Sequence, residues 1–139
     1  MVRSIIGAAG IAAVAVLPVA APAAADAGLP ALVDRAEWVS YSAGSELSSL
    51  RVYPSAAGRA AAARADSGAE GEQAWREVLA AAPEADTASM RDQFFCHWNY
   101  AEFARPGKAS WNLEPWRPVV DGVTMLEAGC NPGAAEEAF

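Results

Sequence analysis

The sequence predicts a small α+β domain with two β-hairpins and two main helices, held by one disulfide bond. Three observations lead to this prediction. Short segments alternate polar and apolar residues, two longer segments repeat their apolar residues with helical spacing, and the only two cysteines follow an export signal. The 139 residues are enough for a single modest hydrophobic core.

The first 25 residues have the order of a secretory signal peptide. Arg3 supplies a positive start, an apolar stretch follows at 5–19, and Ala23–Ala25 offers a cleavage site before Asp26. The apolar stretch is shorter than the ~20 residues that span a bilayer comfortably. We therefore predict a signal peptide at 1–25, a single secreted, extracellular domain at 26–139, and no transmembrane segment once the signal has been removed.

The two cysteines predict the covalent constraint. Cys96 and Cys130 both follow the signal, and in an exported chain an even number of cysteines is typical of disulfide bonding. The chain-entropy model gives a loop of this length roughly 3–4 kcal/mol of stabilisation. Two distant cysteines and a single histidine do not form a zinc ligand set, so we predict no metal and no cofactor.

The N-terminal half predicts one hairpin followed by helices. Residues 37–41 and 50–53 alternate in polarity and predict two strands joined by a Gly- and Ser-rich turn. Residues 55–66 are Ala-rich without a large apolar face, and either a surface helix or a disordered link fits them. Ser67 and Glu70 have the spacing of a capping box, which predicts a helix from there to Pro83.

The C-terminal half predicts a second helix and a second hairpin. Thr87 is a candidate N-cap for a helix that runs to about Ala104, with Cys96 opposite its apolar stripe. Residues 111–118 contain two prolines, which favours an extended path at a sheet edge. Asp121 and Gly122 lie between β-branched residues, a pattern that predicts a hairpin turn.

Most of residues 47–133 resemble a known family. The likeness is carried by Met90–His97, Lys108, Trp111–Pro118 and Cys130–Gly133, and less strongly by Leu50–Pro54. These segments are similar to a family of secreted bacterial proteins that is catalogued only as a domain of unknown function, number 2599. The resemblance implies export and a cysteine pair, and it implies no activity, ligand or catalytic residue.

His97 is the only histidine and the one side chain of a type that titrates near neutrality. With Asp92, Glu114 or Asp121 beside it, His97 would be a candidate general base for a small secreted hydrolase. The competing interpretation is a half-buried histidine bonded to a backbone carbonyl. A small secreted phospholipase of type A2 is a weaker alternative, because Trp98 stands where that enzyme class has an aspartate.

The remaining candidate site is an aromatic and basic surface that Trp98, Trp111 and Trp116 could form with Arg105, Lys108 and Arg117. Trp111, Glu114, Trp116 and Arg117 are its predicted centre, since Trp and Arg dominate protein-binding hot spots and Trp stacks on sugars. Core packing and cation–π pairs within the fold are the alternative. No catalytic signature is present, so we predict a non-catalytic extracellular binding module for a protein or a cell-wall glycan.

Charge and size bound the other function classes. Removing the signal takes Arg3 away, so that 9 basic residues remain against 17 acidic ones and the net charge is −8. This balance disfavours nucleic acid as a partner. An envelope-active toxin is a further alternative that rests only on small size and export.

Overall fold

The computed structural model describes residues 28–41 and 47–134. It confirms a small α+β domain with one disulfide bond. The elements are the strands β1 (Val33–Ser40), β2 (Ser48–Pro54) and β3 (Trp111–Leu113), and the helices α1 (Ala56–Ala62), α2 (Gly68–Ala81), α3 (Ala88–Ala104) and α4 (Gly122–Glu127), with a 3-10 turn at Pro83–Ala85.

The sheet is antiparallel, with the strands in the order β1, β2, β3. The predicted first hairpin is confirmed, although β1 begins earlier than its alternating pattern indicated. Of the predicted turn at 42–49, residues 42–46 lie outside the described residues, and Ser48 and Ser49 belong to β2. The predicted edge path is confirmed for Trp111–Leu113, where β3 pairs with β2 at the edge of the described sheet, but the chain turns at 115–117. Leu50 faces Leu113 across this pair, and Val52 faces Trp111.

Helix α3 packs its apolar stripe on the sheet. Its predicted N-cap is confirmed, since the Thr87 hydroxyl accepts a hydrogen bond from the Met90 backbone at 3.2 Å. Phe94 lies 6.1 Å from both Trp98 and Trp111, measured between ring centroids. Each buried tryptophan removes roughly 150–250 Å² from water, so these rings dominate the core. The core residues of the sheet and α3 are Leu50, Val52, Met90, Phe94, Trp98, Trp111 and Leu113.

Helix α2 forms where the sequence predicts it, but the capping box is wrong. The Ser67 hydroxyl donates to the Arg64 carbonyl at 2.9 Å and accepts from the Trp98 indole N–H at 3.1 Å. Glu70 pairs with Arg64 instead of returning to Ser67. A buried indole N–H requires an acceptor, and Ser67 supplies it from the adjacent helix start.

The sequence left two interpretations open for residues 55–66. In the structure, Ala56–Ala62 form the helix α1. Ser55 caps this helix by accepting a hydrogen bond from the Gly58 backbone at 3.0 Å. The buried positions are Gly58, Ala61 and Ala62, so the helix packs through small side chains. The absence of a large apolar face therefore reflects close packing against the domain.

Gly58 is the point of closest approach. A Cβ atom there would lie 2.0 Å from the Leu32 carbonyl oxygen, whereas one at Gly68 would meet no atom within 4 Å. The Leu32 backbone cannot move freely, because its N–H donates to Glu77 at 2.8 Å and its carbonyl accepts from Ser55 at 3.0 Å.

We expect Gly58→Ala to lower the free energy of unfolding by about 1–3 kcal/mol, through overpacking. This is opposite to the usual effect of alanine in a helix, which is favourable by about 1 kcal/mol. Urea unfolding of Gly58→Ala beside the control Gly68→Ala measures the difference. Equal stabilities of the two variants would contradict the close approach.

The predicted second hairpin is wrong, because residues 122–127 form the helix α4. Asp121 caps it, with its carboxylate accepting from the backbones of Val123 at 3.0 Å and Thr124 at 2.9 Å. These hydrogen bonds, first of all those from Thr124, lower the pKa of Asp121. An Asp-Gly pair suits a hairpin turn and a helix start equally well, and here the hydrogen bonds to the cap decide between them.

The predicted disulfide bond is confirmed between Cys96 on α3 and Cys130 after α4. Together with Met125 and the partly buried Val120, the two cysteines form a small apolar cluster separate from the main core. Within residues 28–41 and 47–134, no helix is both long and apolar enough to cross a membrane.

Candidate functional site

The four residues predicted as a binding surface lie mainly inside the domain. Trp111 and Glu114 are 0% exposed and Arg117 is 2% exposed. Trp116 is partly buried. The structure brings Glu114, Trp116 and Arg117 together but does not turn them outward, so an exposed surface made of all four is not formed. A binding role for this group stays a prediction that rests on Trp116.

A buried ion pair explains this placement. Glu114 accepts a hydrogen bond from Arg117 Nε at 2.6 Å, and both side chains are 0% exposed. The other oxygen of Glu114 accepts from the Tyr41 hydroxyl at 3.0 Å and the Ser49 hydroxyl at 2.9 Å. Arg117 also donates to the Pro132 carbonyl at 3.2 Å. A buried carboxylate requires such a full set of donors, and this one ties the C-terminal segment to the sheet.

Side chains of α3 hold the same segment from the opposite side. Gln93 exchanges two hydrogen bonds with the backbone of Glu114, one from its amide nitrogen and one to its carbonyl oxygen, both at 2.9 Å. Ser89 donates to the Arg117 carbonyl at 2.7 Å. Gln93 and Ser89 thus satisfy backbone groups of the segment that follows β3.

Tyr41 and Trp116 cover the ion pair. Burial, and next the negative charge of Glu114, raise the pKa of Tyr41 to about 12. The Tyr41 hydroxyl is protonated at neutral pH like that of any tyrosine, and its raised pKa keeps it a hydrogen-bond donor in alkaline solution as well. The Trp116 ring lies 4.4 Å from the Arg117 guanidinium carbon and 6.1 Å from the Tyr41 ring. Tyr41, Glu114, Trp116 and Arg117 therefore contact one another within the fold, and Trp116 and Arg117 form a cation–π contact.

His97, the catalytic candidate, is 4% exposed. Its Nε2 lies 3.2 Å from the Asn112 carbonyl oxygen, and its ring is nearly parallel to that of Trp111. This arrangement agrees with the competing interpretation of His97, a histidine bonded to a backbone carbonyl. Of its three proposed partners, Glu114 belongs to the buried ion pair and Asp121 caps α4. Asp92 is exposed and lines a different pocket from His97.

His97 nevertheless lies at the wall of a pocket. The pocket has a volume of about 170 Å³ and is formed by the C-terminal half of α3, the turn that follows it, and the segment from α4 to Cys130. Tyr100, Ala101, Ala104 and Leu126 are among the residues that line it. None of the ten described residues that line it is an aspartate or a glutamate. We call this space the α3 pocket.

The turn at the rim of the α3 pocket carries Arg105 and Lys108, and a single arginine fixes it. Arg59, on α1, donates to the Lys108 carbonyl at 2.5 Å and to the Glu102 carboxylate at 2.6 Å. The other oxygen of Glu102 accepts from the Gly107 backbone at 3.2 Å. Gly107 has φ +74°, a left-handed conformation that favours glycine. Hydrogen bonds to Arg59 and Glu102 therefore fix the turn that carries Arg105 and Lys108.

Sequence reasoning did not identify the α3 pocket. It grouped Arg105 and Lys108 with Trp98, Trp111 and Trp116 as an aromatic and basic surface. The structure separates these residues, since Trp98 and Trp111 belong to the core and the two cations line the pocket. One feature of the sequence could have indicated this pocket: the only histidine, the only lysine and Arg105 all lie between positions 97 and 108. In the described part of the chain, no three His, Cys, Asp or Glu side chains are grouped to hold a metal ion.

The fold and this site define a small α+β domain clasped by one disulfide, with a pocket beside its longest helix. The chain belongs to the family described as Protein of unknown function (DUF2599), whose model matches residues 33–133. It is 60% identical over 110 residues to the uncharacterized protein Rv0477 of Mycobacterium tuberculosis (strain ATCC 25618 / H37Rv), covering 79% of this chain and 72% of the relative. The uncharacterized protein ML2452 of Mycobacterium leprae (strain TN) is 46% identical over 104 residues, which cover 75% of this chain and 81% of the relative. No solved structure gives a significant match.

Proposed function

We propose that this protein is a secreted binding domain that holds a small ligand in the α3 pocket. The observation that carries the proposal is the pocket itself, with a volume of about 170 Å³ and walls that are mainly apolar. Small-molecule sites are typically concave and apolar, with a few polar groups at fixed positions. Polar groups at its wall come from His97, Tyr100, Arg105, Lys108 and Asn131.

The surroundings of the pocket support this role because they are fixed before any ligand arrives. Cys130 lines the pocket and is bonded to Cys96 on α3. Arg59 holds the rim turn from the opposite side. A preformed site loses less conformational entropy on binding, which favours affinity for a small ligand.

Export is part of the proposal. A disulfide bond is typical of proteins in oxidising compartments, and the first 25 residues have the order of a signal peptide. We expect the protein recovered from the culture medium of an expressing bacterium to begin at Asp26, as measured by intact mass. Full-length protein retained in the cell would contradict export.

A hydrolase that uses His97 is the second candidate, favoured by the position of this histidine at the pocket wall. It requires turnover of an ester or amide that His97→Gln abolishes while the variant stays folded. Binding without turnover in the wild type is the outcome that we expect. An envelope-active toxin remains a prediction from size and export alone.

The binding role is tested with three phenyl compounds of nearly equal shape: benzoate, benzamide and benzamidine. Saturation-transfer NMR on the secreted protein should detect at least one of them, with a dissociation constant on the order of 1 mM, typical of so small a ligand. Ala104→Trp, at the exposed end of α3, should fill the pocket mouth and remove the signal. Ala81→Trp, at the exposed end of α2, is the matched control. If Ala104→Trp leaves all signals unchanged, or if none of the three binds, the proposed function is wrong.

A further inference from the structure

We propose that two copies of this protein pair along the outer edge of β1, which joins their two sheets into one antiparallel sheet. This inference goes beyond the proposed function, because no residue of β1 lines the α3 pocket. In the strand order β1, β2, β3, only one side of β1 is occupied by a described strand. A strand with an open edge is a template for a strand of another chain, and two identical strands can pair about a two-fold axis.

The hydrogen bonds of β1 show which of its backbone groups face outward. The Tyr41 backbone N–H donates to the Leu47 carbonyl at 3.0 Å, so these two residues form a hydrogen-bonded pair. Hydrogen-bonded and non-hydrogen-bonded pairs alternate along an antiparallel ladder, and the register is regular from Ser40 back to Arg35. The residues whose backbone groups point away from β2 are therefore Ala36, Trp38 and Ser40. Within residues 28–41 and 47–134 no hydrogen bond uses these groups, so they are available to a second strand.

Helix α2 covers only the beginning of this edge. Glu77 accepts hydrogen bonds from the backbones of Leu32 at 2.8 Å and Val33 at 2.9 Å. Past the irregularity in register that follows Val33, Trp38 is 37% exposed and Ser40 is exposed as well. The rest of the edge is therefore open, and pairing there would also bring Trp38 against the second copy.

The charges of Arg35 and Glu37 make β1 complementary to itself in one register. When Ala36 of one copy faces Ala36 of the other, Arg35 of each copy lies directly opposite Glu37 of the other. Both are non-hydrogen-bonded pairs, in which the side chains of opposite residues lie closest. Moving the centre of the pairing by one residue places Glu37 opposite Glu37 or Arg35 opposite Arg35, and like charges in such a pair are unfavourable.

Both side chains are available for this contact. Within one strand, Arg35 Nε lies 3.8 Å from the Glu37 carboxylate, and the two side chains are 57% and 48% exposed, so this pair contributes little by itself. Arg35 also lies over the Tyr53 ring at 3.5 Å, which keeps its guanidinium on the face of the sheet where Glu37 of the second copy would lie. Charges on an edge strand disfavour pairing with unrelated strands. A second copy of the chain therefore fits this edge better than an arbitrary strand does.

Sedimentation velocity of the secreted protein, from about 1 to about 200 μM, tests the association. The pairing of two short strands buries less than the ~1,200 Å² of a standard interface, and each copy carries a net charge of −7. We therefore expect a weak dimer with a dissociation constant on the order of 10–100 μM. A monomer over the whole range would overturn the proposal.

Charge-swap variants test the register. Arg35→Glu and Glu37→Arg should each weaken the homodimer about tenfold, because each places two like-charged pairs across the interface. An equimolar mixture of the two variants should associate again with about the wild-type affinity, because every such pair then joins a glutamate to an arginine. Recovery in the mixture also shows that both variants are folded.

Arg76→Glu is the matched control. It makes the same change of charge as Arg35→Glu at an exposed position on α2 and should leave the dimer unchanged. A loss in Arg76→Glu as large as that in Arg35→Glu would show a general charge effect and would overturn the assignment to β1. Failure of the mixed variants to associate, or a dimer that tolerates both swaps, would equally overturn it.

Discussion

Replacing Arg117 by methionine is expected to lower the free energy of unfolding by about 3–5 kcal/mol. The substitution leaves the Glu114 carboxylate in the interior without the cation that donates to it at 2.6 Å. It also removes the hydrogen bond from Arg117 to the Pro132 carbonyl. Urea unfolding with the disulfide intact measures the loss.

Two controls separate burial from charge. Arg91 pairs with Glu72 at 2.6 Å, but their side chains are 42% and 48% exposed. Arg91→Met should therefore cost at most about 1 kcal/mol, as exposed ion pairs do. The double variant Glu114→Leu, Arg117→Met should recover part of the loss, because apolar side chains can replace a buried pair. Equal losses in Arg117→Met and Arg91→Met would contradict a buried pair.

The buried pair shows why the sequence suggested a surface at these positions. Tryptophan, arginine and proline at 115–118 are typical of exposed recognition segments. The carboxylate of Glu114 is satisfied by Tyr41 and Ser49, which are 73 and 65 positions away in the chain. No local pattern carries that information, since the contact exists only after β2 and β3 have paired.

Local signals, in contrast, located the helices α2 and α3, although the capping box predicted for α2 did not form. Helix α3 begins and ends as predicted, because its N-cap, its apolar period and the Pro106-Gly107 stop all lie within the segment itself. Two local signals each fitted two different structures. One of them led to a wrong prediction, and the other left two interpretations open. Asp121 serves a turn or a helix cap, and the small residues of α1 suit exposure or close packing. The choice depends on neighbours such as Leu32, which are distant in sequence.

The α3 pocket was predictable only in its polar and basic residues. His97, Arg105 and Lys108 lie between positions 97 and 108, but its walls also require Leu126 and Cys130. Leu126 lies in the segment that the sequence assigned to a hairpin and Cys130 follows that segment, so their contact with the pocket beside α3 could not be derived. The disulfide prediction alone indicated that the C-terminal segment would lie against this helix.

Removal of the disulfide is the second large effect that we expect. The variant Cys96→Ala, Cys130→Ala should lose about 2–5 kcal/mol, typical of a native disulfide in a small domain. The loss should be concentrated in residues 119–134, because the cluster around Met125 is separate from the main core and is closed by this bond. Hydrogen exchange should show early opening of α4 while α3 stays protected.

The backbone of Cys130 provides an internal test of this account. Cys130 has φ 68°, a left-handed conformation that disfavours residues with a Cβ atom by about 1–2 kcal/mol. If the disulfide holds this conformation in place, the backbone relaxes when the bond is absent, so Cys96→Ala, Cys130→Gly and Cys96→Ala, Cys130→Ala should be equally stable. A glycine variant more stable by about 1 kcal/mol would show that the surrounding fold holds the conformation and would contradict this account. Because Cys130 also lines the α3 pocket, binding of the phenyl compounds should weaken in both variants, and in the wild type on addition of a reductant.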